Sequence, residues 1–113
     1  MATTEKPATI EDPALAELVR RLVEIYHPLR IYLFGSRARG DWGPDSDYDL
    51  MIVLPGAGQG SDEQLLEAID AEWNTRAWSD VIVMSDDEFQ FRLGSRASLP
   101  STVVGEGHVL YVA

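Results

Sequence analysis

The chain has 113 residues, 45% apolar and 25% charged, the proportions of one globular domain with a single core. Nineteen acids against nine Lys and Arg give a formal charge of −10, which repels phosphate backbones and argues against general nucleic-acid binding. The absence of cysteine excludes disulfides and thiolate metal sites, no apolar run approaches the ~20 residues of a membrane span, and MATTEKPATIEDP lacks a signal peptide's apolar core, so the expected place is the cytoplasm.

Residues 1–11 are polar and expected to form a flexible N-terminus, with one domain over 12–113. Asp12-Pro13 reads as an N-cap followed by proline in a first helical turn. Leu15, Leu18, Val19, Leu22 and Val23 recur at helical spacing, predicting an amphipathic helix to about Tyr26 that Pro28 stops. Ile31-Tyr32-Leu33-Phe34 reads as a strand ending at Gly35. Ser36 is placed to cap a short helical turn, Arg37-Ala38-Arg39. Tyr48 to Leu54 is a second strand, and its run Leu50-Met51-Ile52-Val53-Leu54 lacks alternation, as in a strand covered on both faces. Pro55, Gly56, Gly58 and Gly60 make an exit loop. Ser61 with Gln64 forms a capping box, and Leu65, Leu66, Ile69 and Trp73 carry the helix it opens. Asp80-Val81-Ile82-Val83-Met84 is a third strand. Ser85 with Glu88 starts another helix, to about Arg96. After Pro100, Gly105 and Gly107, His108 to Val112 forms a last strand.

The order predicts an α/β fold, a small mixed β-sheet flanked by helices. A whole helix joins the second and third strands, which suits a parallel crossover. Only 13 residues, Gly35 to Asp47, join the first and second, which suits antiparallel neighbours. That topology brings Gly35-Ser36, Asp47 with Asp49, and Asp80 to one end of the sheet.

Strand alternation points Asp47 and Asp49 to one face and Tyr48 to the other. Two adjacent carboxylates repel, and partial burial makes ionising both harder. A divalent cation removes the conflict, and hard oxygen ligands suit Mg²⁺ or Mn²⁺. Asp80 is placed to add a third oxygen ligand. An isolated Asp-x-Asp is ordinarily a polar turn, and Asp45, after Gly43-Pro44, fits that reading. The glycine at position 35 lets backbone approach a ligand, and the free N–H groups after Ser36 face an anion. Arg37, directly after Ser36, is the favoured phosphate contact; Arg39 is read as surface.

Two look-alikes fail. Gly35-x-x-x-x-Gly40 has the spacing of a P-loop, but Asp41 stands where the lysine belongs. Asp45-x-Asp47-x-Asp49 begins like a calcium loop, but Leu50 and Gly56 occupy its glycine and glutamate positions.

Gly35-Ser36, ten residues, then Asp47-x-Asp49 resembles the signature of the DNA polymerase β-type nucleotidyltransferase superfamily. "FGSRARGDWGPDSDYDLMIVL" is most similar to its minimal nucleotidyltransferase branch, Asp80 matches the third carboxylate, and "EGHVLY" looks like the end of these small domains. The resemblance implies two metal ions, held by Asp47 and Asp49, that bind the triphosphate of ATP or another NTP. It implies that Asp80 assists the attacking hydroxyl and that Gly35 and Ser36 hold the β- and γ-phosphates.

Larger members carry a helical domain that grips the acceptor, and with no sequence for one here the acceptor is expected on another protein. Minimal members of the MntA-type antitoxins pair with a small helical HepT-type toxin and attach AMP to its tyrosine. The leading expectation is therefore Mg²⁺-dependent transfer of AMP onto a partner protein. A non-catalytic module that neutralises a partner by contact, and a small-molecule nucleotidyltransferase, are the alternatives. Trp42 and Trp78 flank the expected site, where either could pack in the core, stack on a base or line the acceptor's path. His27 and His108 read as structural.

Overall fold

The computed structural model describes residues 6–113; the first five, part of the expected flexible N-terminus, lie outside the described residues. Helix α1 (Pro13–Tyr26) starts as its sequence dictates, with the Asp12 carboxylate accepting the Ala14 N–H at 2.9 Å and proline in the first turn. It closes on His27, whose left-handed backbone (φ 48°) lets its N–H reach the Val23 carbonyl. Then follow β1 (Arg30–Phe34), α2 (Ser36–Arg39), β2 (Tyr48–Leu54), α3 (Asp62–Thr75), β3 (Ser79–Ser85), α4 (Asp86–Leu93), α5 (Leu99–Glu106) and β4 (His108–Val112).

The strands form one mixed sheet in the order β3-β2-β1-β4. As expected from the connection lengths, β2 runs antiparallel to β1 and parallel to β3, with α3 as the crossover. Strand β4 closes the other edge, antiparallel to β1, with an irregularity between Ile31 and Tyr32. Helices cover both faces. On one, Leu18, Leu22, Ala68 and Ala71 of α1 and α3 pack on Ile31, Leu50, Ile52 and Leu54. On the other, Phe89 and Val103 of α4 and α5 pack on Tyr32, Met51, Val53 and Met84. This explains the unbroken apolar run in β2, whose residues from Leu50 to Leu54 are all buried.

Three expectations are corrected. The helix predicted to run to about Arg96 ends at Leu93, and a separate helix, α5, occupies the stretch before the last strand to which the sequence assigned no element. Its start repeats the device of α1: Ser98 accepts the Ser101 N–H at 3.2 Å, with Pro100 in the first turn. Second, Leu65, Leu66, Ile69 and Trp73 of α3 face outward, and the small Ala68 and Ala71 face the core. Third, the residue in the capping position of α2 is Gly35, and Ser36 is the first helical residue.

The N-terminal segment is tied at two points: the Ala8 N–H donates to the Val109 carbonyl at 2.7 Å, and Ile10 packs against the core. Among the described residues, no helix is long and apolar enough to cross a membrane.

Candidate active site

The register of three neighbouring strands, β1, β2 and the edge strand β3, assembles the acids. Asp49 sits opposite Phe34, the last residue of β1, and beside Asp80 in β3. Both lie on the α4/α5 side of the sheet, in phase with Met51, Val53, Ile82 and Met84. Asp47 is one residue before β2 and exposed, and Tyr48 packs to the α1/α3 side. The expected split of Asp49 from Tyr48 follows from that alternation.

Burial pushes the Asp49 carboxyl up from its ordinary pKa, and the Asp80 and Asp47 carboxylates push it further; Arg39 pulls the other way. Gly35 is pressed against the same group. A Cβ built on Gly35 would collide with Asp49 Oδ2 and stand 3.0 Å from its Cγ. The glycine's backbone, at φ 74° and ψ −157°, is one that L side chains rarely adopt. Close approach and conformation therefore both require glycine here.

The two arginines of α2 part company. Arg37 lines the depression beside Asp47, and its Nε and Nη2 donate to the Ser46 carbonyl at 3.1 and 2.8 Å. Its guanidinium lies between the Trp42 and Tyr48 rings, 4.1 and 4.6 Å from their centroids. Tyr48 in turn donates to Asp12 Oδ2 at 2.6 Å. This assembly fastens the β1–β2 connection to the start of α1. Arg39 is the cation that acts on Asp49, and it pairs with Asp41 and with Glu106 at the end of α5.

Glu106, which sequence reasoning did not single out, reaches the candidate site. Its Oε1 accepts the Gly35 N–H at 3.3 Å and an Arg39 Nη1–H at 3.1 Å. A carboxylate thus sits where the Gly35 amide meets an anion. His108 ties β4 to the same corner by donating from Nε2 to the Ala38 carbonyl at 3.1 Å.

The acids do not lie at the bottom of a deep cavity. A depression of about 270 Å³ beside Asp47 is bounded by Pro44, Asp45, Arg76 and Trp78. A cavity of about 430 Å³ opens among Ile10, Asp12, Arg37, Trp42 and Tyr48, and none of the three acids lines it. Trp42, at the rim of that second cavity, is half exposed, and Trp78 packs edge-on against Trp73.

A divalent cation suits this donor set. The ligands on offer are hard carboxylate oxygens, and the mutual repulsion that raises Asp49 is what a cation cancels. Among the described residues, no three acidic or histidine side chains form a ready-made cage. The three-ligand set expected of Asp47, Asp49 and Asp80 is thus not formed, while the in-register pair Asp49 and Asp80 offers the one or two carboxylates that a cation such as Mg²⁺ takes before completing its shell with water and phosphate oxygens.

Comparison with known proteins bears on this geometry. A toxin–antitoxin crystallised with AMP-PNP is similar in fold, with a TM-score of 0.58 and 22% identity, over 85% of this chain and 72% of that one. A candidate nucleotidyltransferase from Sulfolobus solfataricus aligns with a TM-score of 0.45 and 22% identity, over 91% of this chain and 90% of that one. A comparison with curated proteins finds no match. The nucleotidyltransferase domain profile matches residues 15–98. Because that match covers well over half of the chain and takes in Gly35, Asp47, Asp49 and Asp80, the chain belongs to the nucleotidyltransferase domain family.

Proposed function

We propose that this nucleotidyltransferase moves a nucleotide, AMP from ATP in the leading case, onto a hydroxyl of a partner protein. In this reading it is the antitoxin of a HepT/MntA-type pair in the cytoplasm. The observation that carries the proposal is the in-register pairing of Asp49 with Asp80, with Gly35 against Asp49 at the same sheet end. The toxin–antitoxin of similar fold, crystallised with AMP-PNP, supports the choice of an adenine nucleotide and a protein partner.

Members of the family generally use divalent metals, and here Asp47 and Asp49 would hold Mg²⁺, two ions in the full scheme, with Mn²⁺ as a substitute. When bound, such ions neutralise the triphosphate and the departing pyrophosphate and acidify the attacking hydroxyl. The chain's own groups do the rest. The Gly35 amide and Ser36 bind the β- and γ-phosphates, and Arg39 supplies the cationic contact first expected of Arg37. Glu106 must let go of the Gly35 amide for that to happen. Asp80 accepts the hydroxyl proton as the hydroxyl oxygen bonds to the α-phosphorus. The bond from that phosphorus to the bridging oxygen breaks, and pyrophosphate leaves with its electron pair.

The test uses ATP labelled at the α-phosphate, Mg²⁺, the chain and the protein encoded beside it. Label is expected on that protein, and Asp49→Asn or Asp80→Asn should abolish it. If neither that protein nor any protein in a lysate takes label, the proposal fails. The outward apolar face of α3 favours one second reading, neutralisation by contact alone. Neutralisation that survives Asp47→Asn combined with Asp49→Asn would select it.

A further inference from the structure

Helix α3 is built inside out. The side chains it turns to the core and to α1 are the small Ala68 and Ala71, and the large apolar ones, Leu65, Leu66, Ile69 and Trp73, face solvent. Leu66 and Trp73 are each 66% exposed. Residues 66, 69 and 73 follow helical spacing, so these side chains form one stripe rather than scattered contacts with water. Trp78 extends it, edge-on to Trp73 with ring centroids 5.0 Å apart, and leads to Asp80 two residues on. Single exposed apolar residues need no explanation, but a contiguous stripe with two tryptophans marks a surface that binds.

The charge around the stripe selects its occupant. Exposed Glu63, Glu67 and Asp70 run along one flank, and Asp62 stands at the start of the helix. A second copy of this chain would set those acids against their own duplicates on a molecule carrying −10. A segment with an apolar centre and basic flanks meets both features at once.

We infer that the outer face of α3, continued by Trp78, is the docking surface for a basic amphipathic segment of the partner protein, and that docking there delivers the acceptor hydroxyl toward Asp80. The inference rests on the proposed transfer to a protein, and two separate measurements keep their failures distinct.

The first measurement needs no transfer. A synthetic helical peptide with a leucine face flanked by lysines is titrated into the full chain, with tryptophan emission and calorimetry as readouts. Saturable one-to-one binding with a blue shift is expected. Binding should weaken at least tenfold in the exposed triple variant Leu66→Gln, Ile69→Gln, Trp73→Gln, whose fold is checked by circular dichroism. A matched leucine–glutamate peptide should not bind. No binding of the lysine peptide, equal binding of the glutamate peptide, or unchanged binding by the triple variant overturns the inference. So does sedimentation of the chain alone as a dimer that the triple variant disperses. The second measurement is transfer itself. The triple variant should bind Mg²⁺-ATP like the wild type but show at least a tenfold rise in KM for the protein acceptor. Unchanged KM overturns the docking surface and leaves the transfer reading standing. A wild type that transfers nothing sinks that reading, and the peptide titration still decides the surface.

Discussion

Replacing Gly35 by alanine tests the geometry of the site most directly. The substitution has two effects of different origin. The backbone at φ 74° and ψ −157° lies in a region open to glycine almost alone, and holding alanine there costs about 1–3 kcal/mol. The new methyl group would also collide with Asp49 Oδ2 and stand 3.0 and 3.3 Å from its Cγ and Cβ. Overpacking of that kind adds roughly 1–3 kcal/mol. The sum, about 2–6 kcal/mol, is a large part of the ~5–15 kcal/mol that holds a domain together. Truncating Asp49 to alanine removes the colliding oxygen and Cγ but not the backbone strain. A double-mutant cycle should therefore show a coupling of about 1–3 kcal/mol, with Gly35→Ala less damaging in the Asp49→Ala background. Urea denaturation followed by tryptophan emission measures all four proteins, and a loss of ~3 kcal/mol moves the midpoint by about 1–3 M. In the transfer assay, a carboxylate displaced by ~1 Å should lower the rate about 100-fold. A Gly35→Ala protein within ~0.5 kcal/mol of wild type would refute the conformational argument, and an equal penalty in both backgrounds would refute the contact.

Other outcomes follow from the same contacts. Asp49→Asn should abolish transfer yet stabilise the fold. An acid whose folded pKa is raised imposes no penalty below its unfolded pKa and a full one above its folded pKa, so the gain should open as pH rises from about 4 and persist at neutrality; a gain over wild type no larger at pH 7 than at pH 3 contradicts this. Burial, and after it the bond to Asp12, push the Tyr48 hydroxyl up to about 12; Tyr48→Phe removes that bond, which also holds Asp12 low, and should cost about 1–2 kcal/mol by urea titration. Asp12's part is present above its unfolded pKa and lost as pH falls through the lower folded value, and the tyrosine's part is lost as pH climbs from 10 toward 12, so wild type and variant should converge at both extremes. Glu106→Gln weakens a rival for the Gly35 amide and Arg39; a part-exposed pair of this sort is worth up to ~1 kcal/mol, so calorimetry should show ATP binding about two- to fivefold tighter, and weaker binding would mean that Glu106 orders the cradle instead.

The parts of this molecule written in local code could be read from its residues. Asp12-Pro13 starts a helix, the unbroken run from Leu50 to Leu54 is a strand covered twice, and the connection lengths set the sheet that pairs Asp49 with Asp80. What the sequence left open needed a neighbour. Periodicity announces an apolar stripe on α3 but not which side the core lies on, and only the packing of Ala68 and Ala71 against α1 and the sheet decides that. Arg37 and Arg39 sit two residues apart on one helical turn and so point to nearly opposite sides, and Trp42 and Tyr48 claim the first. Glu106 reaches Gly35 across 71 residues, a separation that leaves no mark in either segment. Helix α5 carries a signal, Ser98 with Pro100, but Gly105 sits within its last turn and Gly107 just beyond it, where glycines disfavour a helix.

The alignment of Phe34, Asp49 and Asp80 across three strands also governs when this protein becomes competent during its own synthesis. No fragment that stops inside α3 can bring the carboxylates side by side, because the strand bearing Asp80 is still missing. A ribosome must have passed Ser85 before β3 can dock on β2, and the loop closures between distant segments make that docking a late event. Nucleotide capture by a nascent chain is therefore a report on whether its tertiary structure has closed.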